Sequence, residues 1–460
     1  MAGGRSVEEL ATTLDDMVIL PLYTRAERDG AGDPTGFPGL APFVRGGAAN
    51  GRQGWDVRQW HELSNTDVAS AILADLEAGA TSILLDTGAA DLDRLAPAVA
   101  GVHLDLASLH LMPGWRYVEA TEALREVWAN RGLPPGARLA VLGMDPLGAL
   151  ARHGGLLRPL DESIHEAASI VAEIVSDHSG VVAMSVDASV YADAAATEVD
   201  ELAYSLATGV AYLRAMTAAG LDVGGAFRQI EFTYSATADT FVTIAKFRAA
   251  RRLWGRVGEL CEVPPAVAPQ RQHALTSAAM MSRHDPWLNM IRNTVAGFSA
   301  GIAGARAVTV RPFDVSLGLS DEFARRTARN TQLLLLEESN LGRVIDPGGG
   351  SCYLEDLTEQ LARRAWSAFQ RIESAGGMAE TLVSGEVAAD LEASWHLELE
   401  RLREGEDVVV GVNRFHDPDV ARLERPARPA VPEPVSPGVS IDALPLRCLD
   451  EPLVDTGAAT

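Results

Sequence analysis

The chain has 460 residues, is 47% apolar and carries a formal charge of −24. That supports a large hydrophobic core, while so acidic a surface repels nucleic-acid phosphates. No apolar run reaches the roughly 18 residues of a membrane span, and the start, Met-Ala-Gly-Gly-Arg-Ser, lacks the apolar core of a signal peptide. The cytoplasm is therefore the expected location.

Residues 1–50 are rich in Gly, Pro and Ala and read as an arm and loop, with a helical start at Val7–Leu20. Strand-like runs follow at Trp55–Trp60, Ser82–Asp86, Val102–Leu106, Arg138–Leu142, Val181–Val186, Gln229–Tyr234, His273–Thr276 and Ala307–Arg311. Between them lie helical stretches at Asp67–Ala78, Thr121–Asn130, Ser163–Val175, Val199–Ala219, Thr240–Leu260 and Trp287–Ile302. Leu202, Leu206, Val210, Leu213 and Met216 recur at intervals of three and four, the spacing of one helix face. Eight strands alternating with helices fit an α/β protein with a (β/α)8 barrel over residues 51–320, although this pattern leaves a doubly wound open sheet in play. Asp321–Ser339, Asp356–Ser374 and Ala388–Glu404 read as further helices, forming an extension over 321–415. From Arg425 the chain turns proline-rich, and residues 416–460 are expected to form an extended tail, flexible or draped over the surface.

Cys261, Cys352 and Cys448 are far apart and contain no Cys-x-x-Cys pair, which argues against a disulfide framework or a cysteine-based zinc site. His103 and His110 flank Asp105 without a metal-ligand spacing, and read as polar positions near strand ends. Gly348-Gly-Gly350 lacks the Gly-Lys-Ser/Thr of a phosphate loop and reads as a turn. Lys246 is the only lysine, which removes most schemes that need a catalytic one.

Five blocks in the second half resemble the methylmalonyl-CoA mutase family in order and spacing. They are Thr243–Trp254 (Thr-Ile-Ala-Lys-Phe-Arg-Ala-Ala-Arg-Arg-Leu-Trp), Phe323–Gln332, Glu337-Glu-Ser339, Arg343-Val-Ile-Asp-Pro347 and Gly376-Gly-Met378. Pro21-Leu-Tyr-Thr24, Gly54-Trp-Asp-Val-Arg58, Asp145–Ala151, Met280-Met281 and Asp285-Pro-Trp287 are similar to the small, non-catalytic subunit of the two-subunit bacterial enzymes. The resemblance covers about residues 17–415 and implies a (β/α)8 barrel around a CoA thioester, with adenosylcobalamin capping one end.

The departures fall on the family's reactive positions. Where catalytic subunits carry a Tyr-His pair over the substrate, this chain resembles them around Asp187-Ala-Ser189-Val190-Tyr191 but has Ser189 and Val190. Valine neither donates a hydrogen bond nor carries a proton. The family's Thr-Ile-Gln-Asn-Asp segment has no counterpart near Leu142–Leu150, and a glutamine of its last barrel strand aligns with Arg306. The family's Arg-x-His-x-Gln-Thr-Ser block survives as Arg271-Gln-His273-Ala-Leu275-Thr276-Ser277, with Leu275 in place of glutamine. By this resemblance Arg271 and Ser277 are the candidate ligand-binding residues, Arg271 toward CoA phosphates. No Asp-x-His-x-x-Gly, the cobalamin-ligating motif, occurs, and 45 residues follow Phe415. The chain itself is therefore expected to bind no cofactor and no metal.

Two functions remain in view. One is a small-subunit-like protein supporting a catalytic large subunit, which holds adenosylcobalamin and isomerises (R)-methylmalonyl-CoA to succinyl-CoA; a homodimer is the other assembly considered. The second is a stand-alone, cobalamin-independent enzyme acting on an acyl-CoA or carrier-bound acyl thioester in a biosynthetic pathway. For such an enzyme Asp187, Tyr191 and His273 are the candidate acid and base groups, with Asp193 nearby. A substrate subunit served by a separate cobalamin-binding chain would be expected to keep Tyr-His, which Val190 opposes.

Overall fold

The structure is a computed structural model that describes residues 11–14, 16–24, 35–48, 54–177, 180–417, 419–421 and 423–450. Eight parallel strands close into a barrel: β1 (Asp56–Glu62), β2 (Ser82–Asp86), β3 (Ser108–Met112), β4 (Ala140–Met144), β5 (Val181–Asp187), β6 (Ile230–Ala236), β7 (Arg271–Thr276) and β8 (Ala307–Thr309). Neighbours in the barrel are neighbours in sequence, and β8 returns to β1 through Ala307 opposite Asp56. The sequence-derived alternation thus closes as a (β/α)8 barrel and not as an open sheet. Strands covered on both faces need near-continuous apolar runs, and Ser82-Ile-Leu-Leu-Asp86 and Val181-Val-Ala-Met-Ser-Val-Asp187 supply them.

The helices used below are α1 (Val68–Glu77), α2 (Tyr117–Asn130), α3 (Pro146–His153), α4 (Leu160–Asp177), α5 (Glu198–Ala218), α6 (Thr240–Leu260), α7 (Leu288–Ile302), α8 (Glu322–Leu333), α9 (Cys352–Ser374) and α10 (Glu386–Glu404). Capping side chains set several starts. Asp145 accepts from the Gly148 amide at 3.0 Å, Asp239 from Val242 at 3.3 Å and Asp321 from Ala324 at 2.8 Å.

α9 packs against α5 and α6. Most basic residues of α6 are buried in ion pairs and hydrogen bonds. Arg248, fully buried, lies 3.1 Å from Asp346 and 2.9 Å from Glu355, while Arg251 donates to Gln272 at 2.7 Å and to the carbonyls of Phe43 and Val44. Lys246 forms a buried ion pair with Glu201. Phe227 and Phe232 pack against Trp254, each ring centroid 4.7 Å from the indole's, the first tilted and the second edge-on, and truncating any of the three should cost about 3–5 kcal/mol.

Two expected elements differ. Val102–Leu106 is a turn, closed by the Leu106 and Ala107 amides on the His103 carbonyl, and the third strand is Ser108–Met112. Val102 and Leu104 are buried beside the turn, so their alternation mimics a strand, whereas Leu106 is exposed. Within Val7–Leu20, residues 7–10 and 15 lie outside the described part, and Thr12–Leu14 pair antiparallel with Met17–Ile19. The β-branched Thr12, Thr13, Val18 and Ile19 favour that geometry over a helix.

Beyond α10 the chain returns to the barrel. Residues 423–450 run along the rim formed by the C-terminal ends of the strands, and Val439–Ser440 pair antiparallel with Gly155–Leu156.

Candidate functional site

In a (β/α)8 barrel, chemistry is hosted where the strands end and the βα loops begin. A cavity of about 230 Å³ lies there. Asp86, Asp187, Arg152, His110, His273 and Arg311 are among its lining residues. It is smaller than the roughly 300–1,000 Å³ of sites that enclose a drug-sized ligand.

Charges in the cavity are largely matched. Arg152 on α3 donates to Asp187 at 2.7 Å, and the Ser189 hydroxyl donates to the other Asp187 oxygen at 2.5 Å. Burial opposes ionisation of Asp187, yet Arg152 and these hydrogen bonds hold its carboxyl below the usual value. Arg311 donates to the Thr276 carbonyl at 2.7 Å, sits 3.4 Å from Asp193 and lies over the Trp60 ring at 5.0 Å. Asp86 differs: it accepts the Gly88 amide at 3.0 Å, and burial raises its carboxyl despite that bond and the Arg152 charge. The indole N–H of Trp60 and the hydroxyl of Ser185, both lining the cavity and buried, find no hydrogen-bond partner among the described residues.

Below the cavity the bore is filled. Trp60, Leu84 and Leu275 form an apolar plug with Met112 against it. A polar set adjoins it: Arg58 donates to Glu231 at 2.6 Å and contacts His110 Nδ1 at 2.7 Å, and that nitrogen is 3.1 Å from the same Glu231 oxygen. His273 is bonded at both ring nitrogens, to Thr233 at 3.2 Å and Thr309 at 2.8 Å. Burial would raise the Glu231 carboxyl, but the Arg58 charge and His110 hold it far below its usual value. Burial, aided by Arg58 and His110, pushes His273 well below the usual imidazole value, so it stands neutral. Potential ligand atoms of His110, Glu231 and His273 lie within 4.8 Å of one another, a two-histidine, one-carboxylate set. The Arg58 guanidinium already supplies the positive charge this set would offer a metal.

The structure brings Asp187 and His273 to one cavity and places the other candidates elsewhere. Tyr191 is buried, its ring 5.2 Å from that of Tyr204 and its hydroxyl beside Thr208 of α5, away from the cavity lining. Val190 belongs to the hydrophobic core, and Ser189 is turned onto Asp187. Asp193 accepts the Ala278 amide at 3.0 Å, tying the β5 and β7 loops together. Ser277 follows β7 and donates its amide to Ala236 at 2.8 Å. Arg271 begins β7, at the opposite end of the barrel, where burial and the Arg306 charge lower its affinity for its proton. Arg271 and Asp187 therefore do not converge.

Sequence reasoning missed Arg58, Trp60, Arg152, Glu231 and Arg311, and read His110 as an incidental polar position. A signal existed for part of this. In Ile230-Glu-Phe-Thr-Tyr234 the polar residues stand at every second place of a buried strand, which aims them at the bore. Arg152 and Arg311 lie beyond strand ends, where no period applies.

A closed parallel barrel whose strand ends carry a polar cavity, with a helical extension clamped to a basic barrel helix, defines a large (β/α)8 class. Within it, the family described as methylmalonyl-CoA mutase matches residues 87–430. The methylmalonyl-CoA mutase small subunit of Streptomyces virginiae is 46% identical over 96% of this chain and 71% of its own length. The probable small subunit of Mycobacterium tuberculosis (strain ATCC 25618 / H37Rv) is 42% identical over 82% of this chain and 62% of its own length. The small subunit of Propionibacterium freudenreichii subsp. shermanii is 36% identical over 91% and 66%. The chain belongs to the methylmalonyl-CoA mutase family, and it spans about two thirds of these relatives' length.

Proposed function

We propose that this chain is a small-subunit-like member of the family, which pairs with a catalytic large subunit and supports its interconversion of (R)-methylmalonyl-CoA and succinyl-CoA. The observation that carries this reading is the filled bore. A CoA thioester threaded along the axis would have to displace the Trp60–Leu84–Leu275 plug and the Arg58–Glu231–His110 set. The family's imidazole position is Val190, packed in the core.

The residues present do not fit adenosylcobalamin. The 460 residues contain no Asp-x-His-x-x-Gly, and the rim on which the family's cofactor rests is crossed by residues 423–450. The cofactor is assigned to the partner. No helix among the described residues is long and apolar enough to cross a membrane.

Co-purification with a large subunit, followed by a mutase assay with and without this chain, tests the proposal. A stable complex with more mutase activity than the large subunit alone is expected. A monomeric chain that neither binds that partner nor changes its activity would overturn it. The second reading, an enzyme acting on acyl thioesters, draws on Asp86, Asp187 and His110, which line the cavity. Turnover of acyl-CoAs by this chain alone separates the two, since an enzyme must bring the acyl group to that cavity and transform it.

A further inference from the structure

The proline-rich segment makes a nearly complete circuit of the barrel's C-terminal rim. At the loop after β8, Arg425 pairs with Asp314 and lies 2.7 Å from Asp321, and the Leu319 amide donates to the Pro426 carbonyl at 2.8 Å. Arg428 then pairs with Glu62 at the end of β1 and donates to the carbonyls of Val315 at 3.1 Å and Gly318 at 2.8 Å. Val431 lies over Gly88 after β2, and the Trp115 indole after β3 donates to the Pro432 carbonyl at 2.7 Å. Beyond β4, Ile441 and Leu444 donate to the carbonyls of Gly154 and Ala151, both at 2.8 Å. The Arg447 amide reaches the Asp193 carbonyl after β5 at 2.8 Å. After β7, the Leu449 amide reaches Ala279 at 3.2 Å, and Asp450 accepts the Ser282 hydroxyl at 3.0 Å.

The rim is shaped for this passage. A side chain at Gly318 would collide with the Pro426 carbonyl, and Gly318 has a φ of +149°. Gly154, at φ +75°, would place a Cβ 2.8 Å from the Ile441 carbonyl. Prolines keep such a segment extended and remove amide donors that a rim crossing cannot pair. Arg428 and Val431 themselves line the cavity.

We propose that residues 423–450 are a closing belt that gates the barrel's C-terminal cavity, with Arg428 as its latch on Glu62. Entry to the cavity then requires the belt to lift locally, while the barrel stays folded. The inference concerns access and stands whether or not the chain pairs with a large subunit.

Thiol alkylation resolved by peptide mass spectrometry tests it in the full chain carrying Ser185→Cys. Ser185 is 4% exposed and lines the cavity, the exposed Cys261 is the internal reference, and the buried Cys448 reports on the belt. The introduced cavity thiol and Cys448 should alkylate at least about 100-fold more slowly than Cys261, as sites reached only through local opening. Adding Arg428→Ala removes charged hydrogen bonds and should speed both by about 10-fold or more, with Cys261 unchanged. Adding Trp115→Phe instead, a milder change that loses the Pro432 bond, should speed them by about 3-fold. An introduced thiol that reacts as fast as Cys261 with the belt intact would overturn the proposal. So would a rate at that thiol unmoved by Trp115→Phe and by a folded Arg428→Ala.

Discussion

Arg58→Met probes the bore directly. Arg58 and Glu231 are each 4% exposed, and their 2.6 Å contact is the shortest route by which the Glu231 charge is balanced. At an effective dielectric constant of about 20 the attraction at that separation is roughly 6 kcal/mol, partly offset by the desolvation of both groups. Methionine keeps the apolar stem and removes the charge, leaving a buried carboxylate, so the expected loss near pH 7.5 is about 3–5 kcal/mol. The pH dependence has a defined sign. In the parent, Glu231 is held well below its usual value, so its stabilisation is complete above the unfolded-state value and is lost only as pH falls through the depressed one. In the variant burial raises the carboxyl, opposed by the remaining His110 contact. A raised group stabilises fully below the unfolded-state value and loses that contribution as pH rises through its folded value. The gap between parent and variant should therefore shrink on going from pH 8 to pH 5. Urea unfolding at both pH values measures it, and Arg58→Met/Glu231→Met should recover most of the loss. A single variant within about 1 kcal/mol of the parent near pH 7.5, or a gap independent of pH, would refute the picture of a dry, charge-matched bore.

Two further outcomes are expected. Val190→His should add no mutase turnover beyond that of the parent chain, assayed alone and with the large subunit, because position 190 faces the core and not the cavity; the buried imidazole should also lower stability by about 1–3 kcal/mol, read from the unfolding midpoint. Burial raises Asp145 from 3.8 to about 6, against its bonds from Tyr212, Asp187 and Gly148. Its contribution is complete below 3.8 and lost as pH rises through about 6, which amounts to about 3 kcal/mol at 1.36 kcal/mol per unit. Unfolding midpoints measured from pH 4 to pH 7 should show that slope, and Asp145→Asn should flatten it.

The barrel was legible because both of its signals are local: apolar runs of strand length, and helices with an apolar face at intervals of three and four. The strand misplaced at Val102–Leu106 shows the limit, since a turn that buries Val102 and Leu104 has the same alternation as a strand. The candidate site was legible only where residues sit on strands near the bore, as with Asp187 and His273. The partners that decide their chemistry come from other elements. Arg152 on α3 neutralises Asp187, and the Thr233 and Thr309 hydroxyls occupy both nitrogens of His273. Tyr191, next to Val190 in sequence, points into the packing of α5 because the short helix Ser189–Ala192 rotates successive side chains by about 100°.

The two ends of the barrel differ in charge. At the N-terminal end, Arg271 stands near Arg306 and Arg228, three like charges whose mutual repulsion favours an anionic ligand. At the C-terminal end Asp187 is paired with Arg152, the mouth is crossed by the belt, and Val190 is packed in the core. Arg271 is the register partner of Glu231, so anything entering past Arg271 first meets the Arg58–Glu231–His110 set, and behind it the Leu275 plug. The Arg58–Glu231–His110 set and the Leu275 plug therefore separate the Arg271 end of the bore from Asp187.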